Sequence, residues 1–293
     1  MPLKDLFAVA RQKKISLVAR IDDFLATEAH NLATGKIQEK DLRIREAEIE
    51  RQLAEQKLKR WKTRDVDSRK HFLHPSSLMG CARAFCYKFM DAPAKESSYG
   101  GIEATGRTMR IFSNGDMYHL RMQALFIRMG IAKLEDVEVE FDRGDEQGTA
   151  DILVRLDNVR GVVDFKSANE YAFNAVQQSR PDHKHEMQLR VYMEKFGVKF
   201  GILLYENKNT QLLKEVVLLR NKMKEDELRQ RRDYIRAHIH KRKLADREGK
   251  TKTTIPCSRC VYRHLCYDAA EEKKWRDGWS KAKRVLKKEV TLL

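Results

Sequence analysis

Two carboxylates and an amine stand where they can meet. Asp151 lies in the apolar run from Thr149 to Leu156, and thirteen residues later Asp164-Phe165-Lys166 closes the run that starts at Gly161. Both runs read as β-strands, and a period of two puts Asp164 and Lys166 on one face. Burying two carboxylates side by side is costly unless a cation neutralises them, and hard oxygen donors suit Mg²⁺ or Mn²⁺. Such an ion polarises a phosphoryl oxygen and makes a water nucleophilic, while a nearby ammonium orients that water or stabilises charge developing on phosphorus. Five cysteines supply a second set. Cys257-Ser258-Arg259-Cys260 and Cys266 form C-x2-C-x5-C, with Cys81 and Cys86 far upstream. One thiolate plus three suits zinc or an iron–sulfur cluster, and spacing alone does not decide between them.

The elements that must carry these groups follow from periodicity. Residues 1 to about 70 read as a helical arm: Gln38 to Trp61 holds no Gly or Pro, spaces Ala47, Ala54 and Trp61 at sevens, and adds Ile49, Leu53 and Leu58 to a broad stripe. The arm is expected to pack on the body or on a partner chain, a replication or recombination protein, rather than to clamp DNA. From His71 the texture changes. Pro75-Ser76-Ser77 before Leu78 signals a helix start, and a second apolar helix is expected after Gly115, through Met117, Leu120, Ala124, Leu125 and Ile127. Strands are predicted at Val137 to Phe141, Thr149 to Leu156 and Gly161 to Lys166. A helix from about Glu186 to Lys195 leads to strands at Gly201 to Tyr205 and Leu212 to Leu219, then a charged helix over Lys222 to Leu244.

Composition bounds the partner class. The 293 residues suffice for two domains or one elaborated domain, and 42% hydrophobic content excludes a wholly disordered chain although 35% of residues are charged. With only 14 Gly and 5 Pro, collagen and a turn-dense β-sandwich are disfavoured, and a helix-rich α/β or α+β protein is expected. A net charge of +16 makes nucleic acid the default polyanionic partner. No apolar run approaches the length of a membrane span, and Met1-Pro2-Leu3-Lys4-Asp5 lacks the layout of a signal peptide. The expectation is a soluble cytoplasmic protein with no membrane partner and with reduced cysteines. Gly101 to Thr108 approaches a P-loop, but Arg107 replaces the lysine, so an ATPase is rejected.

In chain order the sequence carries Gly115-Asp116-Met117-Tyr118-His119, Gly148-Thr149-Ala150-Asp151, Asp164-Phe165-Lys166-Ser167 and Gln188-Leu189-Arg190-Val191-Tyr192. This set resembles the RecB-type branch of the PD-(D/E)XK nuclease superfamily over residues 71 to 268, with Asp164 where glutamate is commoner. The resemblance implies a restriction-endonuclease-like α/β core, residues 71 to 293, with a mixed central sheet flanked by helices, extended by the helical arm over residues 1 to 70. It also implies a Mg²⁺- or Mn²⁺-dependent deoxyribonuclease of recombination, repair or phage DNA metabolism, in a prokaryotic or phage-infected cell. On these positions it implies that His119, Asp151, Asp164 and the Phe165 carbonyl hold the metal. Lys166 would position the attacking water, and Gln188 and Tyr192 would brace the site and the strand.

The cysteine order resembles the iron–sulfur nucleases of the AddB and CRISPR-adaptation type, in which one cysteine precedes the core and a C-x2-C-x5-C triad follows it. Ser77-Leu78-Met79-Gly80-Cys81-Ala82-Arg83 matches the surroundings of the first cysteine. The resemblance therefore implies a 4Fe-4S cluster on Cys81, Cys257, Cys260 and Cys266, with Cys86 left as a buried thiol; a Zn²⁺ site using His264 is the alternative. Such a staple closes a long segment and restricts the unfolded chain. Arg232, Arg236 and Lys241 on the basic helix and Trp279 in the tail are expected to contact DNA. No base-reading motif is evident, which predicts action on single strands or free ends. Two rival readings stand beside this one: a non-catalytic module that grips DNA ends or a protein partner, and a zinc-dependent nucleic-acid-binding protein.

Overall fold

The computed structural model describes residues 16–63, 72–94, 98–99, 102–103, 105–176, 181–253 and 257–278. In chain order the elements are α1 (Leu17–Ala33), α2 (Glu39–Thr63), α3 (Ala82–Phe89), β1 (Ser98–Tyr99), β2 (Ile102–Glu103), α4 (Gly106–Arg128), β3 (Val137–Arg143), β4 (Glu146–Leu156) and β5 (Val159–Ala168). There follow α5 (Glu170–Ala175), α6 (His183–Lys195), β6 (Phe200–Asn207), β7 (Leu213–Leu219), α7 (Lys222–His240) and α8 (Arg263–Cys266). The chain divides into two compact units, Met1–Met79 with Phe112–Leu228, and Gly80–Ile111 with Arg229–Leu293.

In the first unit, β3 to β7 form one sheet in the order β3-β4-β5-β6-β7. β5 and β6 are parallel and the other neighbours antiparallel. A parallel pair needs a crossover, here α5 and α6. The β4–β5 turn is made by Asp157 and Asn158, both at positive φ (46° and 65°), the geometry that matches the twist of a two-residue hairpin. Alternation then sorts the side chains. Ile152, Val154, Val163, Phe165, Ile202 and Leu204 join Tyr118 and Phe126 of α4 in one core cluster. On the other face α6 packs against β5 and β6, and a Cβ on Gly201 would run into Leu189 and Met193. The expected α/β core with a mixed sheet flanked by helices, extended by N-terminal helices, is the architecture found.

The arm helices join that core. Leu17, Ile21 and Leu53 belong to the same cluster as the sheet. Glu215 Oε2 accepts the Leu17 N–H (2.7 Å) at the start of α1, and Arg128 of α4 binds both Glu28 and Glu46. The stripe on α2 matches the expected one at Ile49 and Leu53 and differs elsewhere: Ala47, Ala54 and Leu58 are exposed, and Leu42, Glu46, Gln56 and Arg60 turn inward with Ile49 and Leu53. The reason is area, since leucine and the stem of arginine remove far more apolar surface from water than a methyl does.

Three other boundaries move. Pro75 to Met79 forms turns, and α3 begins only after Cys81, because Leu73 N–H donates to Asp145 O (2.8 Å) and ties this segment to the β3–β4 hairpin. α4 starts at Gly106 and runs straight through Gly115, and Met117 is 59% exposed rather than in the core. α7 stops at His240, short of Leu244, and Arg242 then takes a positive φ of 52°. No described helix is long and apolar enough to cross a membrane.

Candidate functional site

The site is built where β4 and β5 part. β4 pairs with β5 only from Ile152 onward, whereas it pairs with β3 down to Glu146. Opposite Asp151, Glu138 takes a positive φ of 47°, and these two are the one pair missing from a β3–β4 ladder whose register is otherwise unshifted from Val137↔Ile152 to Arg143↔Glu146. The Phe165 N–H, left without a β4 partner, donates instead to Asp151 Oδ2 (2.7 Å). Asp151 Oδ1 faces His119 Nδ1 at 3.5 Å, and Gln123, one turn beyond His119 on α4, donates from Nε2 to Asp151 O (3.3 Å). The His119 ring meets the Phe165 ring edge-on at 5.6 Å, and Phe165 is also packed against Tyr118 and Phe126. Thus the odd-numbered residue of the Asp-Phe-Lys run holds His119 in place from the core side.

The even-numbered residues face α6. Asp164 is 1% exposed, and Lys166 Nζ lies 2.7 Å from its Oδ2. Lys166 Nζ also donates to Gln188 Oε1 (3.2 Å), and Gln188 Nε2 donates to Tyr192 OH (3.2 Å). Gln188 and Tyr192 lie one turn apart, so α6 presents both to the same end of β5. Burial pushes the Asp164 carboxyl above its ordinary pKa, and Asp151 adds to this while Lys166 opposes it. Burial alone would lower the Lys166 ammonium, but the two carboxylates outweigh it and hold the amine charged. Tyr192 is pushed well above the usual phenol value by burial and then by Asp164, so it stays a neutral hydroxyl.

The donor chemistry fits a divalent cation. Neither buried oxygen of Asp164 meets a donor at hydrogen-bond angles, and a second carboxylate and an imidazole stand nearby. Among the described residues, however, no group of three or more His, Cys, Asp or Glu is arranged to hold a metal ion as it stands. The Lys166 ammonium occupies the place beside Asp164.

Two residues escape a reading by motif. Gln123 is buried, and its one signal is its position four residues after His119. His185 is half buried with Nδ1 3.0 Å from Tyr205 OH, and burial followed by the Lys166 charge lowers its pKa. It sits three residues before Gln188, which is the only sequence cue.

The cysteines lie in the second unit. Cys81, Cys257, Cys260 and Cys266 line one small cavity of about 20 Å³ with Arg83 and Tyr267, while Cys86 does not reach it and is buried against the Ala245 backbone. All five are free thiols. Tyr267 OH donates to Gly249 O (2.9 Å) and lies 3.3 Å from Cys257 Sγ, and a Cβ on Gly249 would strike Cys257 Sγ. Burial raises the Cys260 and Cys266 thiols, and Arg83 and Arg247 partly oppose this at Cys266. His264 is exposed and does not line the cavity. Arg83 clamps the wall, donating to Glu272 Oε2 (2.7 Å) and to Ala245 O (2.8 Å).

The proposed DNA contacts fare unevenly. Arg232 is buried at 6% exposure, so its guanidinium has no open face for a phosphate; a leucine-like stripe on α7, Leu228, Arg232 and Ile235, turns inward. Arg236 stays half exposed beside Asp233 (3.8 Å), and Lys241 is exposed past the end of α7. Trp279 lies outside the described residues.

No family model and no curated protein matches the chain. Among solved structures it is similar to SSO0001, at 18% identity over 73% of this chain and 94% of that one, with a TM-score of 0.42. It is also similar to LHK-Exo, an alkaline exonuclease from Laribacter hongkongensis, at 12% identity over 60% of this chain and 91% of that one, with a TM-score of 0.43. A second structure, LHK-Exo in complex with dAMP, matches at 12% identity over 59% and 90%, with a TM-score of 0.43.

Proposed function

We propose that the chain is a metal-dependent deoxyribonuclease that hydrolyses phosphodiesters at free ends or in single strands. The observation that carries this reading is the run of contacts from Asp164 through Lys166 and Gln188 to Tyr192 beside Asp151 and His119. His119, Asp151, Asp164 and the Phe165 carbonyl would hold Mg²⁺ or Mn²⁺, which when bound supplies positive charge against a phosphoryl oxygen. Lys166 orients the attacking water, Gln188 steadies the ammonium and Tyr192 steadies Gln188. The four cysteines about one cavity support a 4Fe-4S cluster as a structural staple, a thiolate set that zinc would also accept.

Labelled linear and covalently closed DNA, incubated with Mg²⁺ or Mn²⁺ and with chelator, test the activity. Linear and tailed DNA should be degraded only with metal, and Lys166→Ala should lower the rate by about 10²–10³-fold or more. Near-normal hydrolysis by Lys166→Ala would assign the chemistry elsewhere, and equal cutting of closed relaxed circles would replace end dependence with an endonuclease.

A further inference from the structure

Beside His119, on the side away from Lys166, lies a cavity of about 150 Å³ between α2, α4 and the start of β3. Its walls are apolar: Leu53 and Ala54 from α2, Met117 and Leu120 from α4, and Val137 from β3. An apolar cavity of about this volume takes a benzene-sized ring. A methionine thioether on one wall is a favourable neighbour for such a ring. Gln56 and Gln123 add polar amides at the edge of these walls, Gln123 donating to Asp151 O (3.3 Å).

The charges at the rim discriminate between ligands. Lys57 lies 3.9 Å from Asp116, and Arg60 donates to Glu138 Oε2 (3.0 Å) and to Val137 O (2.8 Å). Two cations stand against two anions, so the slot has no net charge with which to hold a phosphate. A flat ring that is neutral, polar at its edge and apolar on its faces fits these walls. His119 is shared between this cavity and the Asp151 site, so whatever fills the slot is adjacent to the phosphodiester that the site would cleave. Glu138, at positive φ opposite Asp151, also lies at one rim of the cavity.

We propose that this slot is a nucleobase-binding subsite that takes one unpaired base of a single-stranded substrate, without base specificity, and so sets the position of the strand at the site. The proposal rests on the nuclease reading for its substrate but not for its test. It also assigns the arm a role: α2 supplies one wall, so the helices before the core are part of substrate binding.

The test is a cycle of binding measurements in EDTA, where no hydrolysis occurs. A single-stranded 12-residue DNA and an all-abasic strand of equal length are titrated against wild type, Ala54→Trp, Met117→Trp and Ala54→Ser. Each indole fills the slot from one wall, both starting positions being exposed, while serine leaves it open. Stacking one base contributes about 1–3 kcal/mol, which corresponds to about 5–150-fold in affinity. Wild type and Ala54→Ser should prefer the base-bearing strand, and both tryptophan variants should lose at least about fivefold of that preference while binding the abasic strand as wild type does. An unchanged preference in the folded tryptophan variants, or an equal loss for both strands, overturns the proposal. Hydrolysis by wild type with Mn²⁺ is measured alongside. Its absence would retire the nuclease reading while the binding cycle still decides the slot.

Discussion

Asp164 is surrounded by protein on every side, and ionising it there costs more than ionising it in water. Without a bound cation the native state therefore keeps its proton to a higher pH than the unfolded chain, whose value is near 3.8. Where the native state binds more protons, stability falls as pH rises, so the loss sets in above about pH 3.8 and is complete once pH passes the raised native value. Asp164→Asn should abolish hydrolysis yet, in EDTA at neutral pH, raise the midpoint of thermal unfolding, by about 2–4 °C for each kcal/mol relieved. Calorimetry at pH 4 and pH 7 reads the difference: the gain should be larger at pH 7. A variant that melts lower at neutral pH would mean that the ion pair with Lys166 outweighs burial.

At the scale of elements, the arm helices belong to the core of the sheet. Leu53 is 4% exposed among Leu17, Ile21 and the α4 side chains, and Glu215 on β7 caps the start of α1. Leu53→Ala should cost about 2–5 kcal/mol, the range for a large buried side chain cut to alanine, whereas Leu58→Ala, at a position 55% exposed, should cost less than about 0.5 kcal/mol. Chemical denaturation followed by circular dichroism separates the two. Equal small effects would show that α2 does not share the core. Sequence pattern alone located this helix to within two residues but chose the wrong face for its alanines, because heptad spacing marks a face without stating which side chains remove the most surface.

For the whole molecule, the question is what ties residues near 81 to residues near 257. The cysteine segments pack through buried Phe85, Tyr87 and Leu265, with the Tyr87 ring against Tyr262 and Trp275. The second unit is held by the buried Arg83–Glu272 pair, by Arg231 on Gly80 O and by Glu248 accepting the Ala82 N–H (2.9 Å). The proposed cluster across the four thiols would close a long loop, and its loss would free that loop in the unfolded chain. Anaerobically purified protein should carry about four iron and four sulfide per chain. Cys81→Ala or Cys257→Ala should remove the iron and lower the melting midpoint, and Cys86→Ala should leave the iron content unchanged. Stoichiometric zinc in a colourless protein, or loss of iron in Cys86→Ala, would overturn the assignment.

Much of this organisation was legible in the chain. The alternation from Val137 to Phe141 and from Gly161 to Lys166, the apolar run at Gly201 to Tyr205 and the helix through Gln188 and Tyr192 are local patterns, and local periodicity dictates which face each residue takes. The order of His119, Asp151, Asp164, Lys166 and Gln188, and of the cysteines, was likewise readable as residue types at spacings. Only the tertiary structure decided that β4 and β5 part at Asp151, that Glu138 opposite it takes a positive φ, that Asp164 is buried with Lys166 as its neighbour, that Arg232 is buried and that a slot opens beside His119. Burial, splayed strands and cavity walls arise from contacts between residues far apart in the chain, and such contacts leave no period in the sequence.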